Sequence, residues 1–202
     1  MNAAIAEKRG NMKKVTVIVT IVLMIVVVGV VGVFAYLSGK DRTEKEEAIP
    51  SNVERLLYRN LDTNYPATVK EVVSYYSDII RCFYAEDTTE EELEQLGMKA
   101  RELFDSELLE NNETQFYLMS LKADVKDFSD NKRYITNVAV ASSINVDTFQ
   151  EDGYEFARIS CGYNISERGI TSQVIIVYLL RRDENRRWKI YGWEDARDVN
   201  VQ

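Results

Sequence analysis

The sequence predicts an α+β protein: an N-terminal transmembrane helix, followed by helices packed on a curved, cone-like antiparallel sheet. Three observations carry that expectation. Val15–Leu37, VTVIVTIVLMIVVVGVVGVFAYL, runs without a charge, long enough to cross a hydrocarbon core of about 30 Å as a helix of roughly 20 residues. Between Pro66 and Phe104 apolar side chains recur at the spacing of amphipathic helices. After Tyr134 they alternate every second residue, as strands require. Helices first and strands afterwards make an α+β domain with the helices on one face of the sheet.

The flanks of the apolar run set its expected orientation. Residues 1–14 hold Lys8, Arg9, Lys13 and Lys14 against Glu7. Positive residues beside a span stay in the cytoplasm, so the domain is expected outside the cell membrane, with lipid as a partner through the anchor. A cleavable signal peptide is the rival, with Val33-Phe34-Ala35 as its cleavage site, but residues 15–37 exceed the about 7–15 apolar residues of a signal. Beyond the span the charge is acidic, within a net charge of −8 for the chain. That balance argues against nucleic acid or anionic lipid as the main partner of the domain. The absence of histidine removes Ser-His-Asp and Cys-His catalysis and His-ligated metals. No cofactor or metal site is expected. Cys82 and Cys161 lie where a disulfide can form, yet each also falls on an apolar face, where a small buried hydrophobe is the favoured reading.

In order along the chain, residues 38–63 read as a charged tether, KDRTEKEEAIPS, ending in a short amphipathic piece, VERLLYRNL. The piece either packs on the domain or lies along the membrane. Asn64-Tyr65-Pro66 opens the folded domain, residues 64–202, and starts a helix running to Ala85. Val69, Val72, Val73, Tyr76, Ile80 and Phe83 fall on one face, widened by Tyr75, Ile79 and Cys82. A second helix opens at a capping box, Thr88-x-x-Glu91 or Thr89-x-x-Glu92, and carries Leu93, Leu96, Ala100, Leu103 and Phe104. A short third helix near Asn112 carries Phe116, Tyr117 and Leu118. Leu121–Phe128 fits both helix and strand, and the turn signal Ser129-Asp130-Asn131 favours a hairpin. One strand then puts Val138, Val140, Ile144 and Val146 on one face. The next turns in Ala157, Ile159, Cys161, Tyr163 and Ile165, and Val174–Leu180 is a central strand. Arg181–Arg187, RRDENRR, is a polar connection, and Trp188–Glu194 is a last, aromatic strand.

A helix such as YPATVKEVVSYYSDIIRCFYAED, then a second helix and a meander closing on RRWKIYGWED, resembles the nuclear transport factor 2-like (cystatin-like) superfamily over about Tyr65–Asp195. The resemblance implies a bent sheet wrapped round a long helix, with a pocket at the mouth of the cone. With its basic stub and single span, the chain is also similar to bitopic assembly factors of type IV secretion and conjugation machines. It is equally similar to small membrane-anchored Gram-positive proteins of unassigned function.

Enzymes of that superfamily place a carboxylic acid or a tyrosine in the cone, and Asp78 with Tyr75 and Tyr76 is the nearest material, although Asp78 is expected on the outer face. RRDENRR offers Arg forks for phosphate or acidic protein. On one strand Trp188 should face opposite to Tyr191 and Trp193. These three aromatics are therefore the expected contact surface for a second copy or an envelope protein. The expected function is a non-enzymatic interaction module. A pocket domain for a small molecule is the alternative, and an isomerase-like enzyme is further behind. An apolar cone with an isolated polar group would favour the pocket, a buried carboxylate paired with a tyrosine the enzyme, and a filled cone the interaction module.

Overall fold

The structure, a computed structural model, describes residues 53–85 and 88–197. The expected span at Val15–Leu37, the stub before it and the tether as far as Asn52 lie outside the described residues. Among those described, no helix is long and apolar enough to cross a membrane. What is described is an α+β domain with an open antiparallel sheet.

Helix α1, Val53–Tyr58, packs on the domain by burying Val53 and Leu56. Helix α2, Val69–Phe83, buries ten of its fifteen residues. It begins later than the Asn64-Tyr65-Pro66 signal suggests, because Thr68 forms a reciprocal box with Glu71. The Thr68 Oγ1 accepts from the Glu71 amide at 3.2 Å, and Glu71 Oε2 accepts from the Thr68 amide at 3.1 Å, which satisfies two end donors at once. Of the two possible boxes at the start of α3, Glu90–Arg101, the chain uses Thr89 with Glu92. Thr88 instead donates to the Cys82 carbonyl at 2.6 Å, tying the end of α2 to the next turn. Leu93, Leu96, Ala100, Leu103 and Phe104 are all buried, as the stripe predicts.

Two expectations fail between residues 105 and 130. A short helix α4, Ser106–Glu110, is capped by Asp105. The hairpin expected over Leu121–Phe128 is instead helix α5, Thr114–Asp130, which takes in the short helix read near Asn112. Its buried residues, Leu121 and Phe128, sit seven apart, two helical turns, so a single helix places both on one side. Alternation of Leu121, Ala123 and Val125 was an accident of three positions.

The sheet orders its strands β1 (Arg133–Val140), β3 (Tyr154–Glu167), β4 (Ile170–Arg182) and β5 (Trp188–Asp195), with β2 (Asp147–Glu151) also paired to β3. The single strand expected from Tyr134 to Asp147 is divided. A 3-10 turn at Ser143–Asn145 separates β1 from β2, and Ile144 is 88% exposed rather than facing in with Val138. Strand β3 turns Ala157, Ile159, Cys161 and Tyr163 inward as expected, and β4 lies between β3 and β5 with Val174, Ile176, Tyr178 and Leu180 buried. Its turns use Asp152-Gly153 and Arg168-Gly169, all at positive φ, the two-residue geometry that matches strand twist. Cys82 and Cys161 are both buried and are not joined to each other. The free edge of β5 is covered by Leu103–Asp105: the Ile190 amide donates to the Leu103 carbonyl, and the Asp105 amide to the Ile190 carbonyl, each at 2.8 Å.

Candidate functional site

The facing inner side of the sheet and helices α2 and α5 do not close completely. They enclose a cavity of about 170 Å³. Tyr76, Ile80 and Phe83 reach it from α2, one turn apart. Phe116, Tyr117 and Leu121 reach it from α5, and Tyr163, Val174, Ile176 and Trp193 from the sheet. Register puts Tyr163 beside Val174 and Cys161 beside Ile176, so strand alternation alone supplies an apolar floor.

Polar atoms enter at few points. Asp124 on α5 and Tyr84, just past α2, both line the cavity, and the Tyr84 hydroxyl donates a hydrogen bond to Asp124 Oδ2. Burial pushes the Asp124 carboxyl above the usual carboxylate range, and Asp127 adds to this while Tyr84 and Arg133 oppose it. Burial also holds the Tyr84 hydroxyl far above the ordinary phenol range, with the Asp124 charge acting in the same direction. Arg133 lines the cavity too, but its charge is committed: Nε donates to Glu167 Oε2 at 3.1 Å and Nη1 to Asp127 Oδ2 at 3.2 Å. Trp193 packs beside Tyr76, Phe104 and Tyr178 with ring centroids 5.8–6.4 Å apart. Its indole Nε1–H is buried with no hydrogen-bond partner among the described residues, a cost of about 1–3 kcal/mol.

The aromatic strand does not present its side chains as parity predicts. A register shift opposite Leu179 and Leu180 pairs them with Gly192 and Ile190, leaving Tyr191 as an extra residue. A bulge of this kind changes which side chains share a face. Trp188, Ile190 and Trp193 therefore all pack against the core. Tyr191 alone turns outward, where its hydroxyl donates to Glu107 Oε2 at 2.7 Å and its ring meets Phe156 edge-on. The expectation that Trp193 faces with Tyr191 and opposite to Trp188 is thus corrected: Trp193 shares the core face with Trp188.

The trio Asp78, Tyr75 and Tyr76 is not brought together. Tyr76 lines the cavity, but Tyr75 points away and donates to the Leu56 carbonyl at 2.7 Å. Asp78 is half-exposed, between Arg81 at 3.7 Å and Arg55 at 3.9 Å. RRDENRR is likewise divided. Arg181 belongs to β4 and is buried against Asp105, with Nε to Oδ2 at 2.9 Å, while Arg182 reaches Glu155 at 2.8 Å.

The Asp124–Tyr84 pair was missed, although a signal for each exists. Tyr84 continues the Tyr76, Ile80 stripe at four-residue steps, and Asp124 follows Leu121 by three, the spacing of neighbours on a helix. No group of His, Cys, Asp and Glu able to hold a metal occurs among the described residues. A comparison with curated proteins finds no match. The chain does match a family described as a domain of unknown function, DUF6715, over residues 8–193, from the basic stub through the apolar run to Trp193, and it belongs to that family.

Proposed function

We propose that this chain is a single-pass, extracytoplasmic domain of cone-like, nuclear transport factor 2-like form that binds a small, mostly apolar molecule between α2 and α5. The observation that carries the reading is the cavity itself, apolar on most sides and left open by its own side chains. At about 170 Å³ it compares with an engineered cavity of about 150 Å³ that accepts benzene. The ligand's apolar body is then about one aromatic ring. Asp124 offers one polar anchor, as ligand sites commonly do. The anchor rests on the charge-free run, its basic flank and a family match that takes in the run and the domain together.

Titration of the full-length chain in neutral detergent with benzene, phenol, aniline and indole, followed by tryptophan fluorescence, tests the pocket. Saturable binding is expected, and Val174→Phe should abolish it by filling the space. If no probe saturates, the pocket reading falls. An impermeant thiol reagent applied to intact cells with a cysteine introduced at a surface position tests the location, and protection from labelling would overturn the outside assignment.

A second reading, contact with another copy or with an envelope protein in a secretion or conjugation assembly, has one observation in its favour. Phe116 and Met119 on α5 are 56% and 62% exposed. Crosslinking in intact cells should then give products that Met119→Ser removes. Unchanged products would dismiss that surface.

A further inference from the structure

A second concavity, about 580 Å³ and polar, opens between the loop after α1, helix α3 and the start of β5. Arg59, Lys99, Arg187 and Lys189 line it, against Asp62 and Glu102. Only Lys99 has a carboxylate partner among the described residues, Glu102 at 2.9 Å. The other three cations are held by backbone carbonyls. Arg59 Nε donates to Asn64 at 3.0 Å, Arg187 Nη2 to Asp62 at 2.8 Å and Lys189 Nζ to Glu102 at 2.7 Å. Carbonyls orient a cation without neutralising it.

The arrangement is also stiff. Arg187 and Lys189 both pack on the Tyr65 ring, 5.0 and 4.6 Å from its centroid, and the Tyr65 hydroxyl is fastened to the Trp188 carbonyl at 2.8 Å. Burial draws the Lys189 ammonium below the usual lysine range; the Asp183 carboxylate opposes this, and the like charge of Arg187 adds to it by less. Two cations held together and partly out of water are what a bound anion relieves.

We infer that this cleft binds a phosphate group, with Arg187 and Arg59 as guanidinium donors and Lys189 as a point donor. The acidity of the whole chain does not oppose this, since a cleft recognises through its own field over a Debye length of about 8–10 Å. A free phosphate ester and a lipid headgroup share the chemistry. Residues 38–52 separate the apolar run from α1, and at about 3.5 Å per residue a membrane surface is within their reach.

The test uses the full-length chain in phosphatidylcholine nanodiscs, titrated calorimetrically with inorganic phosphate at constant ionic strength. Saturable binding is expected, weakened at least ten-fold by Arg187→Gln with Lys189→Gln and left unchanged by Arg168→Gln, which removes the same kind of charge from an exposed turn. Thermal unfolding of each variant checks its fold, and Arg59→Gln, on a separate loop, gives an independent loss. Absence of saturation, or an equal loss with Arg168→Gln, overturns the site. Equal phosphate affinity in phosphatidylglycerol discs assigns a soluble ester, and weaker affinity there assigns the headgroup as competitor. Because the cleft shares no lining residue with the apolar cavity, failure of either leaves the other standing.

Discussion

Helices α2 and α5 wall the same cavity from two sides, yet α2 buries ten of its fifteen residues and α5 only two of its seventeen. Both are helices of similar length, so the difference lies in what each covers. Helix α2 is enclosed by α1, α3 and the sheet, and Val72, Val73 and Ile79 are wholly out of water. Its first turn is closed by a reciprocal cap, whereas α5 starts at Glu113 without a side-chain cap bond. Helix α5 rests on Leu121 and Phe128, on a close approach to Gly97 of α3, and on the bond from Tyr84. One helix is the post of the fold and the other its cover, and the cavity exists because the cover does not fill the space beneath it.

The sharpest way to break this comparison is to truncate one apolar side chain on each helix to alanine. Ile79→Ala should cost about 2–5 kcal/mol, the range for large core truncations. Val125→Ala, half-buried on α5, should cost no more than about 1 kcal/mol. Chemical denaturation measures both, and equal losses would end the distinction between post and cover.

A smaller effect is expected where the cover meets its support. A Cβ placed on Gly97 would lie 2.9 Å from Leu118 Cδ2 and 3.1 Å from Leu121 Cδ2. Those are the flexible ends of two α5 side chains, so Gly97→Ala should be nearly neutral, its crowding offset by the better helix propensity of alanine. Gly97→Val should overpack and cost about 1–3 kcal/mol. Hydrogen exchange should show that cost as faster opening of α5 amides while α2 amides keep their protection. Loss of protection in α2 instead would mean that the two helices unfold as one unit.

The same contrast governs what could be read from the chain. Helix α2 was legible because its broad buried face is set against a narrow stripe of Lys70, Ser74, Asp78 and Arg81, a contrast that forces a strong 3.6-residue period onto its sequence. Helix α5 was not, because a cover carrying exposed Phe116 and Met119 need not confine its apolar residues to one stripe. With that helix went Asp124 and half of the site. Strands β3 and β4 were legible from alternation, but the bulge at Tyr191 shifts parity by one residue, so Trp193 faces the core together with Trp188 and not opposite to it. Short-range patterns report which face is buried, whereas a bulge and a loosely packed helix are decided by partners distant in sequence.

The finest test asks whether the link between the two helices is a charge or a hydrogen bond. The Asp124 carboxyl is held above its usual range chiefly by burial, so the folded protein keeps its proton more tightly than the unfolded chain does. The stabilisation is therefore complete below the ordinary aspartate value of about 4 and is lost as pH rises through the elevated folded value. Wild type should show that slope, and Asp124→Asn should not. An asparagine oxygen still accepts from Tyr84, so at pH 7 the variant should match wild type or exceed it by up to about 1 kcal/mol, the small size reflecting a half-buried group. Tyr84→Phe removes a bond that lowers the carboxyl's affinity for its proton, and should carry the slope to higher pH. Urea titrations of the three proteins between pH 4 and 8 measure this. If wild type and Asp124→Asn share one pH dependence, the carboxyl is as well solvated as any surface acid, and α5 is held over the cavity by its apolar contacts alone.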